Sequence, residues 1–114
     1  MNEEVTKPTS LSECFKHLEK VLSDSTDATW FKDTDESDAV AQSHHGLGQW
    51  IRNEWKLWEE SSELHQYFKK LGLHHADDMS GVIITSYHRH LNEKEIELDS
   101  QIKGYIEFWK NNQI

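Results

Sequence analysis

The chain has 114 residues, a formal net charge of −9 at pH 7 and 35% hydrophobic residues. This length suits one domain with one core, and five Trp, four Phe and three Tyr residues supply large apolar area. The negative charge disfavours direct binding of nucleic acid or of an anionic membrane, because both present phosphate groups. A basic protein is the partner that this charge favours.

The acidic side chains are unevenly distributed along the chain. Residues 1–40 contain ten acidic against four basic side chains, whereas residues 41–114 contain eleven against eight. Cys14 is the only cysteine, which excludes an intramolecular disulfide and a cysteine-rich zinc site. The sequence shows no secretory signal and no apolar run near the ~18 residues of a membrane span. We therefore expect a cytoplasmic protein that does not enter the membrane.

The N-terminal third predicts a tail followed by a capped helix. Residues 1–9, which contain the only proline, are predicted to form a flexible tail, and residues 10–114 a single helical domain. The sequence Ser10-Leu11-Ser12-Glu13 has the form of a capping box. The apolar spacing behind it predicts a helix over residues 11–23.

The next segment is rich in Asp, Ser and Thr, which favour caps and turns over helix interiors. Only two short helical stretches are expected there, around residues 28–31 and 39–41. The second half of the chain predicts three further helices. Ser61 or Ser62 caps the first, which ends at Gly72; the second carries acids in its first turn; and the last spans about residues 99–111. These elements predict an all-α, compact single-domain bundle of about five to six helices.

Between these regions, residues 48–58 predict an amphipathic helix with an unusually bulky apolar face. Three tryptophans, one isoleucine and one leucine share this face, which we predict to be the central packing wall. The opposite, polar face consists of Gln49, Arg52, Asn53 and Lys56. Such a face is normally solvated, but if Trp50 or Trp58 lies at its border, tryptophan beside arginine is also the composition of a protein-binding hot spot.

Glu54 falls in the middle of the tryptophan face and breaks its pattern. A carboxylate there must be paired, protonated or placed at the boundary, because an unpaired buried charge is costly. One interpretation is a structural ion pair with Arg89, Arg52 or a histidine. The other is an acid with a raised pKa in a tryptophan-lined cleft.

The eight histidines do not form a one-helix zinc motif, since no two of them are four residues apart. We therefore predict no metal and no cofactor. The alternative is a metal site whose ligands come from different helices, for instance around His74 and Asp78. His90 falls inside the apolar stripe of its helix and is predicted to be a mostly buried neutral ring rather than a catalytic base. Cys14 is likewise predicted to be buried rather than nucleophilic.

Three stretches carry a resemblance to a known family: HHGLGQWIRNEWKLW, LHQYFKKLGLHHADDMSGVIITSYHRHLN and IELDSQIKGYIEFW. They resemble a small bacterial helical domain family of unknown function with the motif HxGxGxWIRNxWxLW, over about residues 10–110. The resemblance implies that the family's motif positions are His44 or His45, Trp50, Arg52, Asn53, Trp55, Asp77, Asp78 and Arg89. The family often has glycine where this chain has Lys56, and it implies no activity. These residues form either a buried polar network or a recognition surface.

Two functions are expected from these patterns, and an autonomous structural module without a dedicated partner is the third interpretation. The first is a non-enzymatic protein-binding module, such as an immunity or inhibitor protein, acting on a basic partner. Its candidate residues are Asp24, Asp27, Asp33, Asp35, Glu36 and Asp38, with Trp50, Arg52, Asn53 and Lys56. The alternative is a small enzyme or ligand-binding domain with a cleft between the Trp helix and residues 74–90. Its candidates are His44, His45, Glu54, Asp77, Asp78, Arg89 and His90, with one acid or histidine facing solvent beside a tryptophan.

Overall fold

A computed structural model describes residues 7–22 and 26–112. Within those ranges the regular secondary structure consists of helices, joined by turns and short connections, without a β-strand. The α-helices are α1 Leu11–Leu22, α2 Thr26–Asp33, α3 Glu36–Ser43, α4 Gln49–Glu54, α5 Glu63–Leu71, α6 Ala76–Leu91 and α7 Leu98–Asn111. A π-helical turn, His44–Gly48, joins α3 to α4 without a break, which makes six continuous helical segments. The predicted all-α bundle is confirmed. Within the same ranges, no helix is long and apolar enough to cross a membrane.

Helix α6 is the centre of the fold, because every other helix packs against it. Nine of its 16 residues are buried, including the β-branched run Val82, Ile83 and Ile84, each at most 1% exposed. β-Branched residues are weak helix formers, so this run could also suit a strand. Burial of each such side chain contributes about 1.5–3 kcal/mol, which outweighs the propensity cost of a few tenths of a kcal/mol.

Helix α1 begins with a modified form of the predicted capping box. The Ser10 hydroxyl accepts the Glu13 N–H at 3.4 Å, as expected. The Glu13 carboxylate accepts from the backbone N–H and hydroxyl of Thr9, at 2.8 and 3.0 Å, instead of from Ser10. These bonds lower the pKa of Glu13. Pro8, inside the predicted tail, is fully buried, so packing begins before residue 10.

The inner face of α1 packs on α6 through Cys14 and Phe15. Cys14 is 0% exposed, and burial raises the pKa of its thiol. The Phe15 ring lies 5.7 Å from that of Tyr87 on α6. The predicted core position of Cys14 is therefore confirmed, and the thiolate required of a nucleophile is disfavoured.

The tryptophan segment is shorter as a helix than the sequence predicts. Helix α4 ends at Glu54, and Lys56 adopts a left-handed backbone with φ of 53°, which turns the chain back. Trp55 is buried, whereas Trp58 is 60% exposed. The prediction of one helix over residues 48–58 with all its indoles in the core is therefore wrong, because the turn separates the rings.

Both predicted caps of α5 are confirmed. The Ser62 hydroxyl accepts the His65 N–H at 3.4 Å. Gly72 ends the helix with φ of 114°, and its N–H donates to the Lys69 carbonyl. A Cβ on Gly72 would lie 2.7 Å from Cδ1 of Ile106 on α7. Glycine is therefore needed both for the left-handed backbone and for the close approach of α7.

We expect Gly72→Ala to lower the free energy of unfolding by about 1–3 kcal/mol, because it combines a strained backbone with a clash. Urea unfolding followed by circular dichroism measures this change. Gly104→Ala is the matched control, since a Cβ there meets nothing within 4 Å and the position is helical. It should leave stability unchanged or raise it by up to about 1 kcal/mol. Equal losses in both variants would contradict this explanation.

Candidate functional site

Arg52 is buried at 5% exposure, so its predicted place on a solvated face is wrong. Its Nη1 donates to the Ser80 hydroxyl at 2.8 Å, and its Nη2 donates to the His44 carbonyl at 3.2 Å. Its Nε lies 3.3 Å from Asp77 Oδ1, an ion pair that lacks hydrogen-bond alignment. Because these partners compensate its desolvation, the guanidinium can connect the π turn to α6.

The π turn makes room for this guanidinium. A Cβ on Gly48 would lie 3.0 Å from Arg52 Nη1 and 3.5 Å from Cδ1 of Ile84, so glycine allows the close packing. The buried residues Ser43 and Gly48 are five positions apart, one more than in a regular α-helical stripe. The extra residue shifts which face of the helix meets α6. Such π turns often mark functional sites.

Arg89 forms a second, separate polar cluster. Its Nε and Nη2 donate to the two carboxylate oxygens of Glu36 at 2.8 and 3.1 Å, and its Nη1 donates to the Ile96 carbonyl at 2.7 Å. The hydrogen bonds from Arg89 lower the pKa of Glu36. Glu36 is therefore neutralised and does not contribute a free charge to the predicted acidic surface.

Neither Glu54 nor His90 is buried, so the predicted burial of His90 is wrong. Glu54 takes the boundary placement that the sequence left open, and it forms no ion pair within residues 7–22 and 26–112. Glu54 is the last residue of α4 and is exposed, because the helix ends there and the tryptophans that follow do not cover it. His90 has a 43% exposed side chain, and its Nε2 lies 3.5 Å from Glu19. One face of its ring stacks on Phe15 at 4.7 Å. Phe15 of α1 therefore covers one face of the ring near the end of α6, and a large part of the side chain stays in solvent.

Two buried histidines were not singled out by the sequence. His88 is 3% exposed, and its Nε2 lies 2.7 Å from the Thr34 carbonyl. His65 is 6% exposed, and its Nδ1 lies 2.8 Å from the Leu57 carbonyl. Because a carbonyl only accepts, the facing ring nitrogen carries the proton in each case. Both rings hold connecting segments to helices, and no spacing rule in the sequence indicates such backbone partners.

An open groove lies where α2 meets the π turn and the start of α4. We call it the tryptophan groove; it has a volume of about 430 Å³. Its lining includes Leu22, Asp27, Trp30, Phe31, Leu47 and Trp50. Trp30 and Trp50 are 43% and 37% exposed, whereas Phe31 is only 3% exposed. The groove therefore presents two indoles to solvent above a closed apolar floor.

The walls of the tryptophan groove are fixed by contacts beneath them. The ring of Trp50 meets that of the buried Trp55 edge-on at 5.7 Å. The ring of Phe31 meets His88 edge-on at 5.2 Å, and His88 in turn holds the Thr34 carbonyl at the end of α2. The groove is consequently formed by packed side chains before any partner arrives.

Two of the predicted acidic residues, Asp27 and Asp38, lie at or near this groove. Residues 26–50 contain five acidic side chains and one basic one. The residues Asp27, Asp33, Asp35 and Asp38 are exposed, and Asp24 lies outside the described residues. Asp27 lines the groove directly. Asp38 is one helical turn before Gln42, another lining residue.

The remaining candidates of the predicted binding face do not line this groove. Asn53 is exposed and accepts the indole N–H of Trp58 at 3.1 Å. Lys56 is exposed and lies 4.0 Å from Glu59. His45, a candidate of the alternative cleft, has an exposed ring that packs edge-on against that of His44. Of the binding residues predicted in the Trp helix, the structure thus brings only Trp50 to the groove that Asp27 lines.

A second concavity lies between α7 and the connection that leads into α6. We call it the Trp109 cleft; it measures about 580 Å³ and its lining includes Leu73, His75, Asp78, Tyr105, Ile106 and Trp109. The alternative hypothesis expected an acid beside a tryptophan, and Asp78 does lie beside one, on α7 rather than on the predicted Trp helix. Within residues 7–22 and 26–112, no group of three metal-ligating side chains could hold an ion.

The model of one protein family, a domain of unknown function (DUF6794), matches residues 7–91. The chain belongs to this family. The DUF6794 match includes α1 to α6, and with them the Arg52 cluster and the tryptophan groove, whereas α7 lies beyond it. The predicted resemblance to a small domain family of unknown function is confirmed. No curated protein and no solved structure matches the chain.

We expect Arg52→Met to lower the free energy of unfolding by about 2–4 kcal/mol, because it leaves a buried hydroxyl and a carbonyl without their donor. Arg52→Lys should also destabilise, since one ammonium cannot reproduce the planar set of contacts. The control Lys56→Met removes a half-exposed cation and should change stability by no more than about 0.5 kcal/mol. Urea unfolding measures all three, and an unchanged midpoint for Arg52→Met would refute the structural role.

The Glu36–Arg89 pair predicts a pH dependence of stability. The folded pKa of Glu36 lies below its ordinary value of 4.5 because Arg89 donates to its carboxylate. Its contribution is therefore present above 4.5 and is lost as the pH falls through the folded pKa. Glu36→Gln should be less stable than the wild type at neutral pH, and the difference should shrink on acidification.

The control for this dependence is Glu59→Gln, which removes the carboxylate of an exposed ion pair with Lys56. Thermal unfolding of each variant across the acid range provides the comparison. The same pH dependence in both variants would show that the Glu36 pair has no special role.

Proposed function

We propose that this chain is a protein-binding domain of the inhibitor or immunity type, which holds a basic segment of a partner protein in the tryptophan groove. The observation that carries the proposal is the pair of exposed indoles, Trp30 and Trp50, on a preformed apolar groove. Asp27 in the lining, and Asp38 one helical turn before the lining residue Gln42, give the groove a negative charge. Together they favour an apolar segment flanked by Lys or Arg.

The apolar part of the affinity comes from the two indoles. Tryptophan is enriched at binding hot spots because it buries a large area with few rotatable bonds. The ring of Trp50 is already braced by Trp55, so little conformational entropy is lost when a partner covers it. The packed floor at Phe31 likewise needs no rearrangement.

The electrostatic part of the proposal concerns rate and choice of partner. With Glu36 neutralised by Arg89, residues 26–50 keep four unneutralised acids and one base, a net charge of about −3 within a chain of −9. A field of this sign accelerates encounter with a cationic surface and repels acidic proteins. Inhibition follows from occupancy: a partner that uses a basic surface to bind phosphate-rich substrates cannot do so while an acidic domain covers it.

The test is a comparison of captured proteins. The immobilised wild type and the double variant Trp30→Ala/Trp50→Ala are exposed to source lysate, and proteins that only the wild type retains are identified and purified. The purified partner should carry an excess of Lys and Arg. Calorimetry should show at least about tenfold, or 1.4 kcal/mol, weaker binding to the double variant.

Matched controls separate the groove from general effects of substitution. Trp58→Ala removes an indole that is 60% exposed and is not among the groove's lining residues, so it should bind like the wild type. Asp27→Asn/Asp38→Asn should slow association and reduce its salt dependence, whereas Glu59→Gln/Glu60→Gln should affect them less. A partner that binds the double tryptophan variant as tightly as the wild type would overturn the proposal.

A further inference from the structure

We propose that the Trp109 cleft binds an alkylammonium group, with Asp78 as its anion and the rings of Trp109 and Tyr105 as its aromatic walls. This site is independent of the tryptophan groove, with which it shares no lining residue. It depends on α7, which lies outside the family match.

The first observation is an oriented carboxylate on the cleft wall. The indole Nε1–H of Trp109 donates to Asp78 Oδ2 at 2.7 Å. The ring of His75 stacks on that of Trp109 at 4.1 Å between centroids, with 27° between the planes, and so holds the indole in place. Asp78 and Trp109 are therefore held next to each other at the cleft, although Trp109 itself is 41% exposed.

The second observation is that this carboxylate has no cationic partner. Asp78 takes part in no ion pair within residues 7–22 and 26–112. Its charge instead acts on the Tyr105 phenol, whose pKa is raised by burial and by Asp78. An unpaired carboxylate in a cleft that two aromatic side chains also line attracts a cation, because the carboxylate supplies the charge and exposed ring faces add negative potential.

The third observation is the apolar character of the remaining wall. Leu73 is buried beneath the cleft, and Ile106 contributes its side chain from α7. Such a wall favours alkyl groups over a hydrated inorganic cation. An anionic ligand is disfavoured by Asp78. A divalent metal is disfavoured because no suitable group of three ligands exists among the described residues.

Lys110 also lines the cleft, and it gives the proposal a distinctive prediction. Its ammonium belongs to no ion pair in the described part of the chain, so it competes with a cationic ligand by repulsion. Removing it should therefore strengthen binding. A merely structural role of the cleft would not predict a gain from this substitution.

The experiment is an NMR titration that follows the indole N–H signals of the five tryptophans. Trp109→Phe identifies the Trp109 signal by its loss. Tetramethylammonium chloride is the probe and tert-butanol its uncharged analogue of similar shape, both at constant ionic strength. Tetramethylammonium should shift the Trp109 signal saturably, whereas tert-butanol should bind at least about tenfold more weakly.

Two variants test the charges of the site. Asp78→Asn keeps an acceptor for the indole, so the cleft should stay folded, and binding should fall at least about tenfold. Lys110→Met should tighten binding about two- to fivefold. Circular dichroism confirms that both variants are folded. Equal shifts by the two probes, unchanged binding in Asp78→Asn or weaker binding in Lys110→Met would each overturn the proposal.

The same titration distinguishes two sources of an alkylammonium group. The probes are n-butylammonium, which represents a free amine, and Nα-acetyl-lysine methylamide, which represents a lysine in a polypeptide. Tighter binding of the lysine derivative assigns the site to a lysine side chain, and equal binding assigns it to a free amine. An uncharged norleucine derivative should bind more weakly than either.

Discussion

The fold depends on one buried guanidinium. Arg52 reaches the His44 carbonyl in the π turn, the Ser80 hydroxyl on α6 and the carboxylate of Asp77, and nearly all of its side chain is out of water. A buried cation is tolerated only where such partners are already in place. The continuous helix formed by α3, the π turn and α4 is therefore fixed against α6 in both position and rotation. A change in either would break the contacts of Arg52.

The tryptophan groove is a consequence of the same constraint. To bring Gly48 and Arg52 against α6, the helix inserts an extra residue after Ser43. The inward side then continues through Ile51 to Trp55, and Trp50 is left on the outside beside Trp30 of α2. One short motif therefore contains both kinds of residue: Arg52 stabilises the interior, and Trp50 would contact the proposed partner.

Local signals made much of the helical framework predictable. The capping serine of α5, the left-handed Gly72 and the apolar stripes of α1 and α6 are determined by contacts within a turn or two. The helical pattern puts Arg52 on the solvated side, which is wrong because its hydroxyl partner lies 28 residues away. A helical wheel has no means to show such a partner, and it assumes a regular repeat that the π turn breaks.

The candidate sites were less predictable for the same reason. The sequence suggested an acid beside a tryptophan, but the indole that binds Asp78 is 31 positions away on α7. His88 and His90 are two residues apart, and the sequence favoured burial of the wrong one. The two histidines differ in their surroundings. His88 contacts the Thr34 carbonyl, 54 residues away in the chain, whereas His90 is only partly covered, by Phe15 of α1.

The enclosed thiol of Cys14 gives the molecule a built-in reporter. It is the only sulfhydryl in the sequence, and at 0% exposure it cannot meet a reagent until the core around α1 opens. The rate of alkylation under native conditions thus reflects how often this part of the core opens, without any label having to be introduced. Local opening at this end of the bundle can therefore be followed separately from global unfolding.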